Sequence, residues 1–174
     1  AFHGSPLLPS QPFDAEAAAA DPQGKVAKLV KKLEKTVQDE PENSEAWIKL
    51  ALVHRLLGHY LEAAEAYSVA VGLLGTARPD LLAAYGETLV LAEEGTVTPK
   101  ARRAFSSVLD YDPKDPSARY YLGLADMQAK KFAEALLRWQ RLIVDLPADH
   151  PLLAPLKSQI LWLDEKIRED AAAK

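Results

Sequence analysis

Four histidines, His3, His54, His59 and His150, are the side chains of this chain best able to ligate a metal or carry a proton near neutral pH. A metal site needs ligands at recurring spacings on one face, and these four show no HExxH pattern and share no face with a carboxylate pair. Cysteine is absent, which excludes disulfides, thiolate zinc sites and thiol nucleophiles without fixing a compartment. There is no glycine-rich phosphate loop and no GxSxG. The adjacent carboxylates Asp39-Glu40, Glu93-Glu94 and Asp164-Glu165 fall at expected helix ends and on polar faces, where solvation accounts for them. No catalytic constellation and no cofactor, haem or metal site follows, and the search turns to a binding surface.

Composition narrows the partners. The net charge of -4 argues against a general nucleic-acid binder, and no run approaches the length of apolar sequence that spans a bilayer. Lys28, Lys31, Lys32 and Lys35 form a basic face, which on an amphipathic helix is the side turned to water.

The elements that would build a surface are helices. Residues 1–24 carry Pro6, Pro9, Pro12 and Pro22 without periodicity and read as a flexible Pro/Ala-rich tether. From Lys25, the residues Val26, Leu29, Val30, Leu33 and Val37 recur at helical spacing until Glu40, ahead of Pro41. Asn43-Ser44 supplies an N-cap for a helix from Glu45 to Leu57, Gly58 ends it, and the next runs from Tyr60 to Leu74 before Gly75. A last helix is expected from Leu152 to Glu169, with residues 171–174 as a disordered tail and 25–170 as the folded domain.

Repetition organises these helices. Gly58 to Tyr67 and Lys130 to Trp139 state one pattern twice: an aromatic, then Glu-Ala, then a large aromatic four residues beyond the alanine. In the first unit Trp47, Leu50-Ala51, Tyr60, Ala63, Tyr67 and Ala70 occupy the large, large-small, aromatic, small, aromatic and small places of a tetratricopeptide repeat. Leu122-Gly123, Phe132, Ala135, Trp139 and Leu142 repeat them, and Leu82, Tyr85-Gly86, Leu89, Ala101, Phe105 and Val108 form a degenerate unit between, with a turn near Glu94–Pro99 about three residues longer. The small residues Ala51, Gly86 and Gly123 lie 35 and 37 positions apart. The expected fold is therefore all-α: an α-solenoid of three repeats flanked by N- and C-terminal capping helices, eight helices in all. Ala51 and Gly123 are expected to face Ala63 and Ala135, so that backbones approach closely.

Stacked first helices of such units line a groove. In this register its positions are Ile48, Leu52 and Arg55, then Ala83, Glu87 and Val90, then Tyr120, Leu124 and Met127. Most are apolar, which suits an amphipathic helix laid in by anchors at i, i+3, i+4 and i+7. Arg55 alone resembles the cations with which repeat grooves grip a terminal carboxylate.

In order, the Pro-rich lead Gly4 to Pro12, the Leu33 to Trp47 junction, the first repeat Trp47 to Gly75, the long-turned second repeat and Ala133-Glu-Ala-Leu-Leu-Arg-Trp139 resemble the C-terminal domain of CycH-type cytochrome c biogenesis proteins. The resemblance covers essentially the whole chain. It implies a periplasmic chaperone domain that captures the C-terminal helix of apocytochrome c and delivers it to subunits of a haem ligation complex. It also implies tethering to the inner membrane through an N-terminal anchor outside this sequence, in keeping with a chain that starts at Ala1 without Met. A chaperone without thiols could not trap the client's haem-binding cysteines as mixed disulfides. Two alternatives stand beside it: a related assembly factor for periplasmic nitrite reductase, and a passive scaffold linking membrane-complex subunits.

Overall fold

The computed structural model describes residues 22–75 and 78–172; the expected tether falls almost wholly outside them, as do the last two residues of the expected tail. Within them the chain forms eight helices: α1 Pro22–Asp39, α2 Ser44–Leu56, α3 Tyr60–Leu74, α4 Pro79–Ala92, α5 Pro99–Tyr111, α6 Pro116–Gln128, α7 Phe132–Asp145 and α8 Leu153–Ala172. α1 begins three residues before the expected Lys25, because proline in a first turn needs no N–H partner. α8 runs to Ala172, three residues beyond the expected Glu169, since an alanine run favours helix.

Local chemistry sets the boundaries. Asn43, Thr98 and Asp115 each accept a hydrogen bond at N3, from the backbone N–H of Ala46 at 3.0 Å, Ala101 at 3.2 Å and Ala118 at 2.7 Å. Gly58 ends α2 with φ 77, a left-handed conformation that a side chain would strain. The turn of the second unit is three residues longer than the turns of the other two, as expected. It is tied down from the third unit: Val97 N–H donates to Gln128 Oε1 at 2.9 Å, and Gln128 Nε2 donates to the Gly95 carbonyl at 2.8 Å.

Consecutive helices pack in pairs, α2 with α3, α4 with α5 and α6 with α7, and each pair stacks on the next. α1 closes the front against α2, and α8 closes the back against α7. The core is correspondingly divided into three clusters that each cross a unit boundary. The first joins Leu33 and Val37 of α1 to Leu50, Ala51, Tyr67, Ala70 and Tyr85. The second gathers Leu82, Val90, Phe105, Val108 and Leu122, and the third Trp139, Leu142, Leu156 and Leu163. Burying one such large apolar side chain contributes roughly 1.5–3 kcal/mol, so clusters shared across a boundary make each unit lean on its neighbours for stability.

In the second and third units the atoms nearest the small residue of the first helix belong to the aromatic of the second. A Cβ on Gly123 would lie 2.2 Å from Trp139 Nε1, and one on Gly86 would lie 2.8 Å from the Phe105 ring. The small residue of the first helix makes room for the aromatic of the second. The indole is then held by a hydrogen bond from Nε1 to the Tyr120 carbonyl at 3.0 Å.

Candidate peptide-binding groove

The nine groove positions lie on α2, α4 and α6, the first helices of the three units. Ile48 packs against the first core cluster, Ala83 against the second, and Tyr120, Leu124 and Met127 against the third, leaving each partly accessible. Leu52 is the most open, at 45% exposure. Val90 departs from this pattern: at 4% exposure it belongs to the second cluster and offers almost no surface. It sits at the α4 end that the longer turn folds over.

The two charged positions meet. Arg55 Nη2 donates to Glu87 Oε2 at 3.1 Å, joining α2 to α4, and Ser117 Oγ of α6 donates to Glu87 Oε1 at 2.6 Å. One carboxylate thus links three units. Arg55, read from sequence as a cation open to a carboxylate ligand, already has a partner within the fold. Two phenols border this pair. Burial raises the Tyr67 hydroxyl pKa, partly offset by the Arg55 guanidinium, and burial together with the Glu87 charge raises that of Tyr121. Tyr121 stacks on Phe105 with centroids 4.7 Å apart, and Tyr120 stacks on Trp139 at 5.8 Å. The floor is therefore apolar at the α2 side, polar and cross-linked in the middle, and aromatic toward α6.

At its far end the floor continues onto α8, which follows α7 as α4 follows α3. Met127, Ser158, Gln159 and Trp162 line a cavity of about 320 Å³. Trp162 is 49% exposed and meets Phe132 edge-on at 5.9 Å. These α8 residues were not legible as part of a surface, because a terminal helix read from sequence is only a cap.

Further polar residues lie away from this face. Asp126, 2% exposed, accepts from Arg102 of α5 at 2.9 Å and from Arg138 of α7 at 3.1 Å. Arg119 donates to Asp145 at 2.7 Å. Asp126 shares its register with His54 and Leu89, so an acid at a core position was the available signal. Of the histidines, His54 and His59 lie 5.7 Å apart beside an apolar cavity of about 630 Å³ between α1 and α2, and His54 Nδ1 is buried without a partner. His150 Nδ1 accepts from Leu152 N–H at 3.2 Å, and His3 lies outside the described residues. Among the described residues no three His, Asp or Glu side chains are grouped to hold a metal, and no helix is long and apolar enough to cross a membrane.

With this geometry in hand, comparisons place the chain among known proteins. Residues 6–153 match a family model described as the cytochrome c-type biogenesis protein H TPR domain. The protein CycH of Rhizobium meliloti is 36% identical over 160 residues, 92% of this chain and 41% of that protein. CycH of Bradyrhizobium diazoefficiens is 29% identical over 91% of this chain and 43% of its own length. The chain thus spans about two fifths of these curated relatives. Among solved structures, a crystal structure of MamA protein superposes with a TM-score of 0.67 at 17% identity, covering 91% of this chain and 82% of that one. A tetratricopeptide repeat protein from Parabacteroides merdae gives 0.65 at 16% identity, over 94% and 64%. At such identities these two structures speak for the fold alone.

Proposed function

The chain belongs to the CycH-type family of cytochrome c biogenesis proteins, spanning its repeat domain, and on that premise we propose that it is a binding module for apocytochrome c during c-type cytochrome maturation. It works without catalysis. It holds the client's C-terminal amphipathic helix along α2, α4 and α6 and passes the client to subunits of the haem ligation complex. The setting is the periplasm, with the domain tethered to the inner membrane by an N-terminal anchor beyond this sequence.

The observation that carries the reading is the alternation along the groove. Exposed Leu52 lies at one end, the Arg55–Glu87–Ser117 cluster in the middle, and Met127 and Trp162 at the other end. An amphipathic helix has the matching surface, apolar anchors at helical spacing with polar residues between them. Arg55 and Glu87 neutralise one another, so neither presents an uncompensated charge to an apolar stripe. The chain's own terminal helix borders this face without filling it, since the cavity between Met127 and Trp162 stays open.

Titration with a synthetic peptide of a c-type apocytochrome's C-terminal helix tests the proposal. Saturable binding in the micromolar range is expected, weakened about fivefold by Leu52→Glu with helicity unchanged, as for truncation of one interface anchor. Absence of saturable binding would point to a passive scaffold. Preference for the C-terminal segment of a periplasmic nitrite reductase cytochrome would point to that enzyme's assembly factor.

A further inference from the structure

We infer that the pocket between α6 and α7 of the third unit is a second docking site, which takes an acidic peptide segment of a partner protein with an apolar residue beside its carboxylates. None of the nine groove positions lines this pocket, so the inference does not depend on the client reading above.

Charge identifies the occupant. The pocket holds about 540 Å³ and is walled by Lys114, just before α6, by Arg119 of α6, and by Arg138 and Arg141 of α7, against the carboxylates Glu134 and Asp145. Four cations against two carboxylates leave two positive charges in excess, in a chain whose net charge is -4. A negatively charged protein repels an acidic partner at long range, and a locally positive pocket selects where such a partner lands. Two of the cations are held in place by the fold. Arg119, 9% exposed, donates to Asp145 at 2.7 Å, and Arg138 Nε donates to the buried Asp126 at 3.1 Å. A guanidinium fixed by one edge can offer the other to a carboxylate with little further loss of freedom. The other two are uncompensated: Lys114 and Arg141 are exposed, and neither side chain forms an ion pair among the described residues.

Shape favours a segment over a compact ion. The α7 residues of the pocket run from Glu134 to Asp145, which at 1.5 Å per residue is about 16 Å of helix. That is the reach of about five extended residues, and a phosphate-sized anion would occupy only a fraction of it. Along this length Glu134 stands at one end. Arg141 and Lys114 stand at the other, where Lys114 adds its field to that of Arg119 on the Asp145 carboxylate. Leu137, 49% exposed, lies between the two ends. The matching segment sets its carboxylates over Arg141 and Lys114 and rests an apolar side chain on Leu137. The cavity between α1 and α2 has no such imbalance, because its single lysine, Lys31, is offset by Glu34.

The test uses the whole chain and a fluorescently labelled synthetic peptide of glutamates around one central leucine, about eight residues long so that it outreaches the pocket, read by anisotropy. A matched peptide carries glutamine in place of glutamate. Saturable binding of the acidic peptide is expected, about tenfold weaker for the glutamine peptide and falling as salt screens the cations. Arg141→Glu and Lys114→Glu should each weaken binding at least about fivefold, since each turns an attraction into a repulsion. Both positions are exposed, so helicity and denaturant midpoint should stay at the wild-type values. Lys28→Glu on α1 changes the net charge equally and should alter affinity less than about twofold. Equal losses from all three reversals would overturn the pocket in favour of net charge alone. Displacement of the peptide by inorganic phosphate at equal concentration would overturn the peptide occupant in favour of a compact anion. No saturable binding to wild type, or equal affinity for the glutamine peptide, would overturn the site. Each of these failures leaves the client reading standing, because that is tested by a different peptide on a different face.

Discussion

The first and third repeats share one register and fill it with different chemistry. At the small position the first unit has Ala51, which shares a core cluster with Tyr67, and the third has Gly123 against Trp139; both aromatics are buried at 1% exposure or less. The larger indole takes the space that Gly123 lacks, within 2.2 Å of where a Cβ would sit. At the flanking positions the first unit places Trp47 and His54, and the third places Arg119 and Asp126. The third unit converts these into ion pairs, Asp126 with Arg102 and Arg138, and Arg119 with Asp145. Register thus decides where a side chain sits. What it does there depends on which groups neighbouring helices bring to it.

The largest effect that would break this contrast is expected from Gly123→Ala. Alanine gains at most about 1 kcal/mol of helix propensity, whereas overpacking a filled core costs roughly 1–3 kcal/mol. Here the added methyl meets an indole fixed by its bond to Tyr120, so the indole cannot slide aside. A net loss of about 2 kcal/mol is expected, read as a lower denaturant midpoint. Gly86→Ala, facing a phenyl ring at 2.8 Å that has no such bond, should lose less. Equal midpoints for Gly123→Ala and wild type would show that the third unit is no tighter than the first.

A change of opposite sign is expected in the first unit. Gly72 lies within α3 with nothing within 4 Å of an added Cβ. Gly72→Ala should therefore stabilise by about 0.5–1 kcal/mol through the unfolded chain's lost freedom. Thermal unfolding would detect it, and destabilisation would mean that the open face of α3 is occupied.

The smallest effect concerns pH. The Arg119 guanidinium beside Asp145, 2.7 Å away, holds its carboxyl below the ordinary 3.8. A depressed folded value means that the pair's contribution is present above the ordinary pKa and is lost as pH falls through the lowered one. Asp145→Asn should slightly lower stability at neutral pH, where the pair is formed, and flatten the acid limb in that window. Because Asp145 is exposed the change should be slight, and an unchanged acid limb would assign the acid sensitivity of the third unit elsewhere.

Much of the fold was legible because its signals are local. Asn43 caps a helix through a hydrogen bond to the N–H three residues on, and Gly58 and Gly75 end helices by their own backbone preference. The repeat aromatics recur because each unit solves the same packing problem, and they buried where the register placed them. The candidate groove was legible as a set of positions and less so as a surface. Val90 passed for a groove residue because apolar type and register are alike for a lining position and a core one. Arg55 passed for an open cation because its partner Glu87 lies 32 residues away on another helix. Trp162 and Gln159 were missed because a cap carries no register.

What the amino-acid order determined alone, then, is the number of helices, their ends and which residues face inward, since each depends on contacts within a turn or two of one helix. What the tertiary structure decided is which charges pair, which small residue admits which ring, and where the groove stays open. Those contacts join residues roughly 20 to 30 positions apart. Their geometry follows from the angle at which one helix pair stacks on the next, a property of the whole pile that no single stretch of the chain contains.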